Sequence, residues 1–399
     1  MSIDRATIGG KIASTTGGST EYWVEYGTTS ALGSSTPHAT LTLQQGTQRA
    51  VTVALPGLAR DTAYSYRLCA RDSEAGVCGA KLGFRTQDVV CGQTVTSDVT
   101  LTGNLDCGFD SPGPFAGSGG LVVGADGLDI DLAGYTIRGP VFSGGGSDRG
   151  IDNAGGHDDV TIRDGGLSTW GDGVHLEGAS GNVMRDLHVQ GSPTGVSISG
   201  GAGNEIRGSD LFGRVSAVVA TGQVGLVITS STAGYGISGA PALSIGASDS
   251  LIDHNQITGF GFGTGLELRG SENLVVGNTV TGDAVQPAGI LILSGSDNVV
   301  AENQTSNFHL VNPPSNAGSV GDGLFVASAA TGTLLRDNRS HENEGDGIEV
   351  QSPATRLRGN QANDNGDLGI QAVSGVTDLG GNTASGNGNP LDCVNVFCP

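Results

Sequence analysis

The sequence predicts an all-β chain: a solenoid of stacked strands over residues 89–399, preceded by a small separate β domain over residues 1–88. Three observations carry that reading. A glycine-led phrase recurs at a fixed period, an asparagine recurs in step with it, and composition and charge change near residue 88.

The phrase is a small residue followed by an apolar alternation. It reads Gly173-Val174-His175-Leu176, Gly195-Val196-Ser197-Ile198, Gly265-Leu266-Glu267-Leu268, Gly289-Ile290-Leu291-Ile292, Gly323-Leu324-Phe325-Val326, Gly347-Ile348-Glu349-Val350 and Gly369-Ile370-Gln371-Ala372. The underlying period is roughly 22 to 25 residues, which marks a solenoid whose repeats bury apolar faces against their neighbours. Alternation by two makes the units strands rather than helices. Asn255, Asn278, Asn303, Asn338, Asn360 and Asn382 each follow an apolar stretch and precede another short strand. Stacked strands lie about 4.8 Å apart, so these amides are expected to bond from coil to coil in a structural ladder.

On these phrases residues 89–399 resemble the right-handed parallel β-helix superfamily, the pectate-lyase-like fold, in its bacterial extracellular branch. About ten coils are traceable, beginning with Gly120-Leu121-Val122-Val123 and Gly150-Ile151-Asp152. The coil at Ala217-Val218-Val219-Ala220 has lost its Asn, and a long insertion, Ser306 to Gly321, precedes the coil entered at Gly323. The 70 glycines suit a fold with many tight bends.

Residues 1–88 read differently. Tyr22-Trp23-Val24-Glu25-Tyr26-Gly27 and the stretch Leu58 to Leu68 resemble strands of a fibronectin type III sandwich, including its tyrosine-bearing strand. Val51 to Leu55 and Leu82 to Arg85 fit further edge and closing strands. The segment enters at Ala6-Thr7-Ile8 without room for a full first strand. Met1 to Gly10 has no apolar core of signal-peptide length, so upstream sequence is expected to be missing or replaced.

The six cysteines fall as three close pairs, Cys69 with Cys78, Cys91 with Cys107 and Cys393 with Cys398. The spacing suits zinc poorly, so three disulfides and a secreted or cell-surface location are expected. Residues 1–88 hold eight Lys or Arg against seven Asp or Glu. From chain totals of 19 and 40, the remainder carries 11 basic and 33 acidic side chains. Such a surface repels nucleic acid and anionic membranes, and no apolar run is long enough to span a bilayer. Nucleic-acid binding and membrane insertion are excluded, and a monomer is expected.

The only lysines, Lys11 and Lys81, lie in the first domain. Many lyases of the resembled fold use Lys or Arg to remove a proton beside a uronate carboxylate, usually with calcium. Arg269 is the candidate that remains, with Glu267 beside it as an ion-pair partner.

The resemblance also places ligands along the outer face of the first strand of each coil. The outward positions there are Asp152, His175, Ser197, Val219, Ser244, Glu267, Leu291, Phe325, Glu349 and Gln371. Two acidic clusters emerge. One comprises Asp172, His175 and Glu177, preceded by Trp170. The other runs Glu344-Gly345-Asp346-Gly347-Ile348-Glu349, with Asp322 and Asp367 one coil to either side and His341 nearby. Counted as six coils, the separation is about 29 Å, too far for one active site.

Asp322, Asp346 and Glu349 form the candidate catalytic set. Stacked carboxylates repel and raise one another's pKa, and glycosidases need an acid paired with a carboxylate. Asp346-Gly347-Ile348-Glu349 resembles the Asp-Gly-Ile-Asp segment of polygalacturonase-type glycosidases, but their Gly-His-Gly and Arg-Ile-Lys motifs are absent. Two other readings stand beside catalysis: an Asp that braces the bend into each strand, or a calcium site built from carboxylates of adjacent coils.

Trp170, Tyr235, Phe260, Phe262 and Phe308 lie in turns before first strands. Rings there can stack on sugar faces, with Trp170 the most exposed, or tuck under their loops as small cores. The candidate ligand-binding residues are therefore Trp170, Asp172, His175, Glu177, Glu267, Arg269, Phe308 and His309. Two functions stay open: an extracellular β-helix that binds polysaccharide, or a hydrolase or lyase acting at the Asp322, Asp346 and Glu349 groove.

Overall fold

The computed structural model describes residues 5–72, 75–86, 88–108, 119–140, 148–235, 239–283, 287–309 and 321–399, the side chains of Tyr235 and Phe260 excepted. The chain divides into two compact units, Met1–Cys91 with Val99–Leu105 and Gly92–Asp98 with Asp106–Pro399.

The first unit contains β1 (Arg5–Ala13), β2 (Gly18–Gly27), β3 (Ser34–Ser35), β4 (Ala39–Leu43), β5 (Gln48–Pro56), β6 (Ala63–Arg71), β7 (Gly76–Cys78) and β8 (Leu82–Arg85). β1 pairs antiparallel with β5. A second antiparallel sheet joins β4 to β2, β2 to β6 and β6 to β8. Alternate side chains of the two sheets meet as Ala6, Ile8, Val24 and Leu55, joined by Leu58 from the connection after β5, with Tyr26, Tyr64, Tyr66 and Phe84 packed against them. The Tyr64 hydroxyl accepts the Ala59 amide at 2.8 Å, which ties the turn before β6 to that strand. Cys69 and Cys78 face each other across the β6–β7 pair and are disulfide-bonded.

The second unit is a solenoid of short parallel strands, three to a coil, as the period and alternation predict. First strands stack in one register: Leu121, Ile151, Val174, Val196, Val218, Leu243, Leu266, Ile290, Leu324, Ile348 and Ile370 are successive partners. All of these are buried, and burying each stabilises by about 1.5–3 kcal/mol relative to exposure.

The asparagine column is bonded as expected. Asn255 Nδ2 donates to Asn278 Oδ1 at 3.0 Å, Asn278 to Asn303 at 2.9 Å, Asn303 to Asn338 at 3.0 Å, Asn338 to Asn360 at 3.0 Å and Asn360 to Asn382 at 2.9 Å. The degenerate coil has Ser231 in place of its Asn, and the coil before it has Ser209. The Ser209 amide donates to Ser231 Oγ, and the Ser231 amide donates to Asn255 Oδ1. A second column, Asn343 to Asn365 to Asn387, runs beside the carboxylate cluster. Corners between strands take left-handed residues, such as Asp337 at φ 56° and Gly359 at φ 66° on successive coils.

Cys393 and Cys398 form a disulfide, Cys91 and Cys107 are disulfide-bonded as well, and no cysteine is free. Among the described residues no helix is long and apolar enough to cross a membrane.

Candidate carboxylate site

The outward column of the first strands is the one the alternation predicts. Asp152, His175, Ser197, Val219, Ser244, Glu267, Leu291, Phe325, Glu349 and Gln371 are partners in register. Seven strand-to-strand steps separate His175 from Glu349, not six, which sets the two acidic clusters about 34 Å apart.

Asp322 opens the strand Asp322–Val326, Asp346 stands two residues before the strand Ile348–Val350, and Glu349 points outward from it. The main chain fixes both aspartates. Asp322 Oδ1 accepts the Asp346 amide at 2.8 Å, and Asp346 Oδ1 accepts the Leu368 amide one coil on at 2.9 Å. One oxygen of each carboxyl therefore braces the next coil. The other oxygens are left to the cluster, where carboxylate atoms of Asp322, Asp346 and Glu349 all lie within 4.8 Å of one another. Gln351 Nε2 donates to Glu349 Oε1 at 2.8 Å. Bracing and clustering are thus properties of the same two aspartates rather than alternatives.

Burial makes the cluster acidic in the useful sense. Asp322 is 3% exposed and Asp346 5%, and Asp322 Oδ2 is buried without a hydrogen-bond donor. Desolvation pushes the Asp322 carboxyl well above its ordinary value, with the Glu349 charge adding to the rise. Desolvation likewise pushes Asp346 up to about 7, against the Leu368 amide and helped by the charges of Asp367 and Glu349. A hard cation is the other guest such a set admits. Three of its six oxygens already accept N–H groups, and calcium takes about six to eight oxygen ligands, so solvent or substrate would have to complete the shell.

The other candidates are placed as follows. His175 is 8% exposed, with Nδ1 3.4 Å from Asp172 and Nε2 3.7 Å from Glu177, and neither ring nitrogen makes a hydrogen bond. Arg269 pairs with Glu267. His309 lies 3.2 Å from Glu344. His341 meets Gln304 on a third strand, away from the three carboxyl groups. The Ser306 to Gly321 insertion lies outside the described residues from 310 to 320.

Two aromatic expectations are overturned. Trp170 is fully buried, and its Nε1 donates to the Ile137 carbonyl at 3.0 Å. It fills space that two glycines leave, since a Cβ on Gly139 or Gly150 would come within 2.6 Å or 2.9 Å of the indole. Phe308 is likewise fully buried, packed where a Cβ on Gly289 would meet it at 2.6 Å. Neither ring offers a face to a sugar. Phe262 is the exposed ring of the set, at 62%, while the side chains of Tyr235 and Phe260 lie outside the described residues. The sequence reading also missed that Leu291 and Phe325, although outward, are buried in an exterior apolar cluster with Ala288, against which Leu293 and Ala327 pack. The signal was their hydrophobicity, since an apolar pair in an outward column needs a cover.

Residues 150–395 match the family described as right handed beta helix region. Among solved structures, a mutant of DFA-IIIase from Arthrobacter chlorophenolicus A6 aligns with a TM-score of 0.50 at 16% identity, covering 65% of this chain and 72% of the other. A second DFA-IIIase structure from the same organism, in complex with GF2, aligns with a TM-score of 0.49 at 17% identity, covering 60% and 66%. A single-site mutant of the periplasmic alginate epimerase AlgG aligns with a TM-score of 0.49 at 13% identity, covering 72% and 76%. The first of these likenesses shows the fold alone. No curated protein matches the sequence.

Proposed function

The chain belongs to the right-handed β-helix family, and from that premise we propose that it cleaves glycosidic bonds of a neutral poly- or oligosaccharide outside the cytoplasm, using Asp322, Asp346 and Glu349. The observation that carries this reading is the convergence of three carboxyl groups within 4.8 Å, on adjacent coils and on the outward side of the first strands. With DFA-IIIase the chain shares its fold alone, so the substrate class is argued from the site itself.

The roles follow from the geometry. Asp346, with its pKa near 7, keeps its proton at mildly acidic pH and can pass it to a departing glycosidic oxygen. Glu349, the partly exposed member, supplies the carboxylate that meets the anomeric carbon. Carboxyl groups this close match the separation of about 5–5.5 Å used with retention of configuration, not the 6.5–9.5 Å that admits a water between them. A Glu349 oxygen bonds to the anomeric carbon as the bond to the leaving oxygen breaks and Asp346 protonates that oxygen. The Asp346 carboxylate then takes a proton from an incoming water or sugar hydroxyl, which displaces Glu349. Asp322 is a positioning residue: its Oδ1 accepts the Asp346 amide and so holds the turn that carries the proton donor.

Charge supports a neutral substrate. The cluster is anionic, Arg269 is tied to Glu267 and Arg149 to Asp152, so a uronate would meet repulsion. The oxidised cysteines support an extracytoplasmic location.

The test is reducing-end release from neutral and acidic glycans, with and without calcium, by wild type, Asp346→Asn and Glu349→Gln. Each variant is expected to lose about 10²-fold or more, and NMR is expected to show retained anomeric configuration. Activity that survives both substitutions refutes the assignment. Glycan retention without products on every substrate would leave a binding protein instead.

A further inference from the structure

From the outward column we infer that the site is blind on one side, so that it takes the end of a glycan chain and not its middle. This rests on the carboxylate reading above and specifies how substrate reaches it. In that reading substrate lies along this column, and a chain lying across several coils must touch it rung by rung. Most rungs leave that side chain partly exposed, including Ser197, Val219, Ser244 and Glu267 before the site and Gln371 and Val394 beyond it.

Apart from His175, seven rungs from Glu349 and itself 8% exposed, Leu291 and Phe325 break the series. They are the two rungs next to Glu349 on the side of lower residue numbers, and they are 8% and 5% exposed. With Ala288, and with Leu293 and Ala327 against them, they form an apolar core outside the coil. Two covered rungs occupy about 10 Å of groove, enough to exclude a sugar unit from the position directly beside the carboxyl groups. A single proton-donating oxygen can act from a nearly buried carboxyl, but a side chain with so little accessible surface cannot serve as a floor for a pyranose or furanose ring. Substrate therefore extends from Glu349 only toward Gln371 and Val394, and its terminal unit abuts Phe325.

Linear and cyclic glycans distinguish the two modes, because a ring has no end. Wild type would be incubated with inulin, amylose, xylan and β-glucan oligosaccharides of defined length, and with cyclodextrins and cyclic fructans. Binding of the same compounds would be measured to Glu349→Gln. The expected result is one small product of fixed size from the first time point, with rings neither opened nor bound. A ladder of internal fragments, or ring opening that Glu349→Gln abolishes, would overturn the blind groove while leaving the carboxylate centre intact. Linear chains that are neither cleaved by wild type nor bound by the variant would overturn both.

Discussion

Replacing Asp346 by Asn should make the protein more stable in alkali and leave it unchanged in acid. The wild-type carboxyl rises from an ordinary 3.8 to about 7 on folding, chiefly through desolvation. Between those values the folded chain binds more protons than the unfolded chain, so stability falls as pH rises through the window and levels off above 7. At about 1.4 kcal/mol per pH unit the loss amounts to at most about 4 kcal/mol. Asn is the right substitution because its side-chain oxygen still accepts the Leu368 amide, bonded at 2.9 Å in the wild type, while no charge is buried. The assay is urea unfolding followed by circular dichroism from pH 4 to 8.5 at fixed ionic strength. The variant's curve should flatten across the window and exceed the wild type by about 2–4 kcal/mol at pH 8, while the two coincide at pH 4. Asp322, raised by the same cause, leaves a residual slope in the variant that Asp322→Asn should remove. Parallel pH profiles for wild type and Asp346→Asn would refute the claim that this carboxyl is held protonated by burial.

Trp170→Ala should cost about 3–5 kcal/mol in urea unfolding yet leave glycan affinity unchanged under native conditions, measured by affinity electrophoresis; lost affinity in a folded variant would return the indole to the binding surface. Asn303→Ala removes the acceptor of two Asn278 N–H groups and the donor to Val275. At about 1–3 kcal/mol for each orphaned group, amide hydrogen exchange should quicken first in the coils on either side of Asn303. Arg269→Ala should change stability by no more than about 1 kcal/mol and leave glycan cleavage at its wild-type rate, checked by the reducing-end assay.

How far the sequence discloses this molecule depends on which periodicity governs each feature. The outward column is legible to the residue because a small residue, Gly or Ala, sets the phase of each first strand and two-residue alternation does the rest. The asparagine column is legible for the same reason. Asp322 and Asp346 sit at one position of successive coils, so their stacking is visible in advance; the approach of Glu349 to both follows from its outward position three residues after Asp346. What failed concerns turns, where no periodicity says whether a side chain points in or out. Trp170 and Phe308 turn inward because Gly139, Gly150 and Gly289 leave room for a ring. That pairing of a turn aromatic with a bare glycine a coil away is a rule the sequence does contain. Leu291 and Phe325 failed differently: outward was correct, and exposed did not follow from it, because the pair packs with Ala288, Leu293 and Ala327 into an apolar cluster of its own.

The amide ladder also constrains how such a protein can change size. Asn303 and Asn338 are 35 residues apart yet bond as closely as Asn255 and Asn278, which are 23 apart. The stack closes with the same bond whether 23 or 35 residues separate its members. A deletion that removes part of a turn of the rod strands donors above and below, whereas excision of one whole turn rejoins like to like. Gene-level gains and losses should therefore survive either as loops of arbitrary length at corners or as complete rungs, and a fractional rung should be purged.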